Sequence, residues 1–365
     1  MKAYLASSHR AICFRPIWLA WLCIAAFTAA PLAAQEEWTS VGAAKIDITP
    51  SYPIRLTGYG NRMRESEGVE EPIWAKAIAI GADEGDGPAV LITVENCGVP
   101  EGLVSQVAKV LEESHKIPRE RIVVSSSHSH SAPWVNGFAP YLFGAPTPPD
   151  HQAHVDQYSK ELVEKMVAVA REAIAARRPA KLGWATGSVG FAMNRRAMKE
   201  GVYQGFGVQP DGPVDHRLPI LAAKDKEGKL VAVVANYACH CTTVTGDFNL
   251  ISGDWLGHAM KRIEADHPGC ISLITIGCGA DANPEPRGLV EQCHEHGAAF
   301  AKEVKRLLAG ELTPVSPKLR ARLQWIELPF ADLPTREEWE QRAKEPGAVG
   351  YHAKEFLAKL DRGEK

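Results

Sequence analysis

"IWAKAIAIGADEGDGPAVLITVEN", residues 73 to 96, holds two apolar, β-rich runs on either side of the turn signal Asp83-Glu84-Gly85-Asp86-Gly87. The pattern predicts a pair of adjacent strands. Directly after it, "EGLVSQVAKVLEESH" (101 to 115) carries apolar residues at helical spacing and stops before Pro118, and "RIVVSSSHSH" (121 to 130) is a β-branched run that opens into a loop. Strand, strand, helix, strand is the opening of a layered α/β domain.

The rest of the chain continues the alternation. "WTSVGAAKIDITP" (38 to 50) is a strand, followed by the glycine-rich turn "LTGYGNR" (56 to 62); residues 154 to 177 are an amphipathic helix, and "KLGWATGSVGFAMNRR" (181 to 196) is a strand pair. "LPILAAKDKEGKLVAVVANYACHCTTV" (218 to 244) is a hairpin with Lys226-Glu227-Gly228 at its tip. "ISGDWLGHAMKRIEAD" enters a helix, "CISLITIGCGADANP" is a buried strand ending in a glycine-rich turn, and 288 to 309 is a further helix. No repeat and no Pro/Ser-rich linker interrupts the series, so the expectation is one layered α/β domain with mixed β-sheets flanked by helices.

The chain has 365 residues, 45% hydrophobic and 23% charged, with a net charge of −3. That composition supports a sizeable core, and with no Lys/Arg stripe it argues against nucleic-acid binding. At the start, Lys2, His9, Arg10 and Arg15 precede "IWLAWLCIAAFTAAPLAA". This reads as a signal peptide of residues 1 to 34; Pro31 and the small-residue ending favour cleavage after Ala34 over an uncleaved anchor. The expectation is export, as a secreted, periplasmic or cell-surface protein. Cleavage leaves Cys97, Cys239, Cys241, Cys270, Cys278 and Cys293, too few for a disulfide scaffold of this size.

Chemistry is concentrated where strands give way to turns. On a strand, His128 and His130 would share a face about 6 to 7 Å apart with Ser129 pointing away, so two imidazoles can converge on one centre. His240 ends another apolar run, Asp254 lies in "SGDW", and Asp281 with Asn283 ends "GCGADANP". Ligands of layered α/β domains collect at strand ends, so these turns are expected to share one mouth. Zinc suits imidazole donors and lowers the pKa of water from about 16 to about 7. Metal-assisted hydrolysis of an amide or ester is the indicated class.

The motifs "VGAAKIDITP", "SSSHSHSAP", "AMNRRA", "NYACHCTTV", "SGDWLGHA" and "GCGADANP", in this order from about residue 40 to about 310, resemble the catalytic domain of neutral/alkaline non-lysosomal ceramidases. The resemblance implies that His128 and His240 bind Zn2+, that His130 is an acid/base or oxyanion partner, and that Arg195, or Arg196 in its stead, attends the site. It implies a lipid amide substrate, N-acyl sphingosine, cut to sphingosine and a fatty acid. Asn283 stands where the family carries a catalytic serine; it lacks a hydroxyl but can donate a hydrogen bond. The family completes its zinc site with a later glutamate and tyrosine, and no matching motif follows residue 310. The charged segment 313 to 365, after a catalytic unit of 35 to 312, offers Glu337, Glu340 and Tyr351, which read as helix-surface residues, and is expected to be an incomplete continuation of the domain.

Three further readings accompany this one. The aromatic loop with Trp134, Phe138, Tyr141 and Phe143 either meets a lipid chain or membrane surface, or packs on its own domain. Cys278 is an alternative nucleophile, although "IGCGADANP" supplies no neighbouring base. An impaired relative that binds a lipid, glycan or metal without turnover is the non-enzymatic alternative.

Overall fold

Alanine-rich "WAKAIAI" has strong helical propensity, yet it forms a central strand, because its side chains are buried alternately on two faces. Burial of each Val, Leu or Ile contributes about 1.5–3 kcal/mol, against a few tenths per residue for propensity. The computed structural model describes residues 37–85 and 87–364, so the expected signal peptide and its cleavage point lie outside the described residues.

Eight strands follow the sequence as β1 (Trp38–Asp47), β2 (Trp74–Ile80), β3 (Ala89–Val94), β4 (Ile122–Ser126), β5 (Arg178–Ser188), β6 (Arg217–Asp225), β7 (Leu230–Tyr237) and β8 (Ile271–Ile276). They are ordered β8-β7-β6-β5-β1-β2-β3-β4, and the two-residue strand Thr313–Pro314 adds to β5. The hairpins β2–β3 and β6–β7 are antiparallel, as the turn signals predict. The pairs β3–β4 and β7–β8 are parallel. Parallel neighbours need a crossover, and helices α1 (Glu101–His115) and α3 (Asp254–Asp266) lie in the two crossovers. The expected partnership of the segments around 181 to 196 is corrected: Ala192–Asn194 pairs with Ala282–Pro284, whereas β5 lies between β1 and β6.

Three cores define the layers. Ala75, Ala77, Val90 and Ile92 pack under α1 and α2 (Pro149–Ala175) through Leu103, Val107, Leu162 and Met166. Ile220, Ala222, Val233 and Tyr237 pack under α3 and α4 (Val290–Ala309) through Trp255, Met260, Phe300 and Val304. The third core, with Val41, Ile78, Leu182, Val231 and Leu273, comes from strands alone, and edge strand β8 lies against β1, β2, β3 and β4. The long sheet is therefore folded over on itself, giving helix, sheet, sheet and helix in succession, with both faces of the central strands buried.

This folding brings the carboxyl ends of β4 and β7 together although five strands separate them in the order. Ser129 and Cys241 form an isolated parallel bridge just beyond those ends. Among the described residues no helix is long and apolar enough to cross a membrane. The final segment forms α5 (Arg336–Arg342) and α6 (Gly347–Asp361), with α6 against the 141 to 144 loop through Tyr141 and Phe356.

Candidate functional site

β4 ends at Ser126, and the two histidines that follow do not lie on a strand. His128 has a left-handed backbone, φ +59°, which turns the chain sharply. The expected strand-face geometry is thus corrected: a turn, not the pleat, brings the rings together, with His130 Nε2 3.2 Å from His128 Nε2. Ser129 does point away, donating its hydroxyl to the Ser252 carbonyl at 2.7 Å. The His130 amide donates to the Cys241 carbonyl at 3.1 Å, and the His240 amide donates to the Ala282 carbonyl at 3.0 Å. Three strand ends thereby fix three imidazoles.

The ring centroids of His128 lie 4.7 Å from His130 and 4.7 Å from His240, and those of His130 and His240 are 5.6 Å apart. His128 Nδ1 donates to the Cys97 carbonyl at 2.6 Å, and His240 Nδ1 to the Gly279 carbonyl at 2.7 Å. A carbonyl only accepts, so each ring carries its proton on Nδ1 and keeps a lone pair on Nε2, the arrangement of metal-ligating histidines. Burial lowers the basicity of His128 and takes His240 down to about 4, with Arg195 adding its charge. Burial and the neighbouring imidazoles push His130 to about 2, and its Nδ1 is buried without a hydrogen-bond partner. All three rings are neutral donor groups at physiological pH.

Arg195 leaves the short strand Ala192–Asn194 and donates Nη1 to Asn283 Oδ1 at 3.1 Å and Nε to the Ala280 carbonyl at 3.0 Å. Arg196 reaches the same carbonyl at 3.3 Å. Thr242 donates its hydroxyl to Asn283 Oδ1 at 3.1 Å. Because a guanidinium has no acceptor, the amide oxygen must face Arg195, which leaves the Asn283 Nδ2 protons free to donate.

Several participants are absent from the sequence reading. A Cβ on Gly58, whose φ is +93°, would come within 2.4 Å of the His130 ring, so only glycine leaves His130 its space. Tyr59 sets its ring edge-on to His130 at 5.1 Å and donates to the Val244 carbonyl at 2.9 Å, while Arg287 donates to the Tyr59 hydroxyl at 3.0 Å. Buried Arg62 donates to the His130 carbonyl and, at 2.7 Å, to that of Phe248. "LTGYGNR" marks them only as a turn. Cys97 places its sulfur 3.7 Å from His128 Nδ1, but burial pushes that thiol up to about 12.

Other expected residues are placed elsewhere. Asp254 is buried and caps its own turn, accepting from the amides of Trp255 at 2.7 Å and Val244 at 3.2 Å; its support for the loop after His240 is indirect. Asp281 contributes its backbone carbonyl, which accepts from the Arg195 amide at 2.7 Å. Cys278 is exposed and, among the described residues, bonds to no histidine. Trp134 and Phe143 are buried against each other at 5.1 Å, so these two rings of the 134 to 143 loop pack on its own domain, while Phe138 and Tyr141 are half-buried. Glu337 and Glu340 are exposed on α5, and Tyr351 packs on Tyr141 at 6.3 Å.

Two carbonyl-anchored imidazoles that keep lone pairs on Nε2, beside a third with an orphaned buried nitrogen, fit a borderline ion such as zinc. Residues 40–273 match the family model described as neutral/alkaline non-lysosomal ceramidase, N-terminal. The chain is 25% identical over 269 residues to neutral ceramidase B of Dictyostelium discoideum, covering 68% of this chain and 36% of the relative. It is 21% identical over 247 residues to the neutral ceramidase of Pseudomonas aeruginosa, covering 67% and 36%. The match thus spans about a third of the length of these relatives. The crystal structure of the Pseudomonas aeruginosa neutral ceramidase superposes with a TM-score of 0.61 at 18% identity, over 74% of this chain and 45% of that one. A ceramidase complexed with C2 gives the same TM-score of 0.61 and 18% identity, over 74% and 44%. These likenesses bear on the fold.

Proposed function

The protein belongs to the neutral/alkaline non-lysosomal ceramidase family, and from that premise we propose that it is an exported, zinc-dependent hydrolase that cleaves an N-acyl amide of the ceramide class by adding water. Residues 35 to 312 are its catalytic unit, and the N-terminal apolar segment directs export. The observation that carries the reading is the pair of Nδ1-anchored imidazoles, His128 and His240, with His130 between Tyr59 and both rings.

His128 and His240 would hold the ion through Nε2. When bound, zinc supplies a water acidified to near neutrality and an electrophile for the acyl oxygen. The chain's own groups do the rest. His130, too weakly basic to carry a full proton, acts as a neutral N–H donor toward the oxygen that becomes negative. Asn283 offers its Nδ2 protons to the same charge, and Arg195 both orients that amide and adds a fixed positive field. Overall, the hydroxyl of water joins the acyl carbon, the C–N bond breaks and the proton goes to the amine.

A lipidic acyl chain is favoured by the hairpin Arg196–Lys199/Val202–Phe206 next to Arg195. Val202 is 62% exposed and Phe206 69%, and Phe206 stacks on Arg195 at 4.7 Å. Exposed apolar groups rimming a polar site mark a surface for an apolar ligand.

The test is zinc content and hydrolysis of an N-acyl amide panel that includes N-acyl sphingosine. His128→Ala and His240→Ala should each release one equivalent of zinc and abolish turnover. His130→Ala should keep zinc and lose about 10²–10³ in turnover. Full zinc retention in both of the first two variants would remove the proposed ligands.

A further inference from the structure

A second cluster of ligating side chains lies behind the first. We propose that Glu70, His258 and His294 form a separate binding site for a divalent transition-metal ion of the zinc class, which ties the loop before β2 to α3 and α4. Their ligand atoms all lie within 4.8 Å of one another.

The fold constructs this cluster deliberately. α3 and α4 touch at Gly297, where a Cβ would lie 2.8 Å from that of His258. That contact sets His294, one turn earlier on α4, beside His258, with ring centroids 4.1 Å apart. Glu70 lies between the two rings, Oε2 3.5 Å from His258 Nε2 and Oε1 3.7 Å from His294 Nε2. These separations are long for hydrogen bonds, and they approach the ~3.4 Å between ligand atoms held about 2.1 Å from a tetrahedral ion.

His258 is oriented from behind. Its Nδ1 faces Glu71 Oε2 at 3.4 Å while its buried Nε2 has no hydrogen-bond partner. A carboxylate on the far nitrogen is the usual support of a ligating histidine. Glu71 is itself 5% exposed, and its Oε1 and both oxygens of Glu95 are buried without partners. These unpartnered buried oxygens form a crowding of carboxylates that a cation relieves. Ser252 donates to Glu70 Oε2 at 3.0 Å and fixes the third ligand. His294, with a side chain 54% exposed, leaves the site open to solvent for entry. Two imidazoles and one carboxylate select a transition ion over calcium or magnesium.

The inference stands apart from the proposed function, because no ligand is shared with His128 or His240. Zinc alone is the probe, titrated by calorimetry and counted by elemental analysis. Wild type should bind two equivalents, and a His128→Ala/His240→Ala protein one. In that background His294→Ala, at a half-exposed position, should lose the remaining ion, and Glu71→Gln should weaken it about 10–100-fold. Zinc should raise the melting temperature of the double variant but not of the triple one. The site is refuted if the double variant binds no zinc, or if adding His294→Ala leaves its affinity unchanged. A failure of the His128/His240 centre has a different signature: wild type and the double variant then bind equal zinc.

Discussion

Gly58→Ala tests whether the placement of His130 matters. The added Cβ would lie 2.4 Å from His130 Cγ and 2.6 Å from its Nδ1, about 1 Å inside an ordinary contact. The ring cannot retreat with its backbone, because the His130 amide is bonded to Cys241 and its carbonyl to Arg62. It must rotate, and a displacement near 1 Å in a reacting constellation costs about 10²-fold in rate. Alanine at φ +93° adds about 1–3 kcal/mol of backbone strain, a few degrees of melting temperature. His128 and His240 are not touched. Steady-state turnover of the best N-acyl amide substrate, beside zinc analysis and a melting curve, should show a ~100-fold loss of kcat at undiminished zinc content. Undiminished kcat would show that the position of His130 carries no part of the rate.

Three other perturbations follow from the same geometry. Lys76 is buried in β2 with its Nζ 2.7 Å from Glu264 Oε1, and Lys45 binds the other oxygen at 2.6 Å; Glu264→Gln leaves Lys76 without its countercharge and should cost about 3–5 kcal/mol in chemical denaturation. Burial raises Glu95 from 4.5 to about 8, so the folded state keeps a proton that the unfolded chain releases; stability should fall as pH rises across that interval and level off above it. Glu95→Gln should remove that part of the slope in melting temperatures taken from pH 5 to 9. Val202→Asp on the exposed hairpin should raise KM about tenfold for long-chain amides while sparing kcat for a short acyl analogue; equal KM for both chain lengths would dissociate the hairpin from substrate binding.

Much of the architecture is legible because strand burial has period 2 and helix burial period 3.6. The antiparallel pairs β2–β3 and β6–β7 and the helix 101 to 115 follow from local signals, and they fold as read. Folding of the sheet over itself is not local: it depends on β8 reaching β1, β2, β3 and β4, which no window of sequence contains. The same holds for Ala192–Asn194, whose partner lies some ninety residues on. His128 and His130 are visible as a pair, but their convergence comes from one left-handed residue that a β-branched run conceals. Glu70, His258 and His294 carry no spacing signal, since a loop and two helices assemble them. The aromatic loop has an apolar composition that suits a lipid surface or a core equally, and which of its rings are buried, Trp134 and Phe143, is not legible in it.

Hydrolysis of N-acyl sphingosine by the zinc-loaded protein, before and after chelation and again after zinc is restored, bears most directly on the proposed activity. The account predicts release of free amine and fatty acid when loaded, loss on chelation, recovery with zinc, and no recovery in His128→Ala or His240→Ala. Fully zinc-loaded protein that hydrolyses no amide or ester of the panel would contradict it.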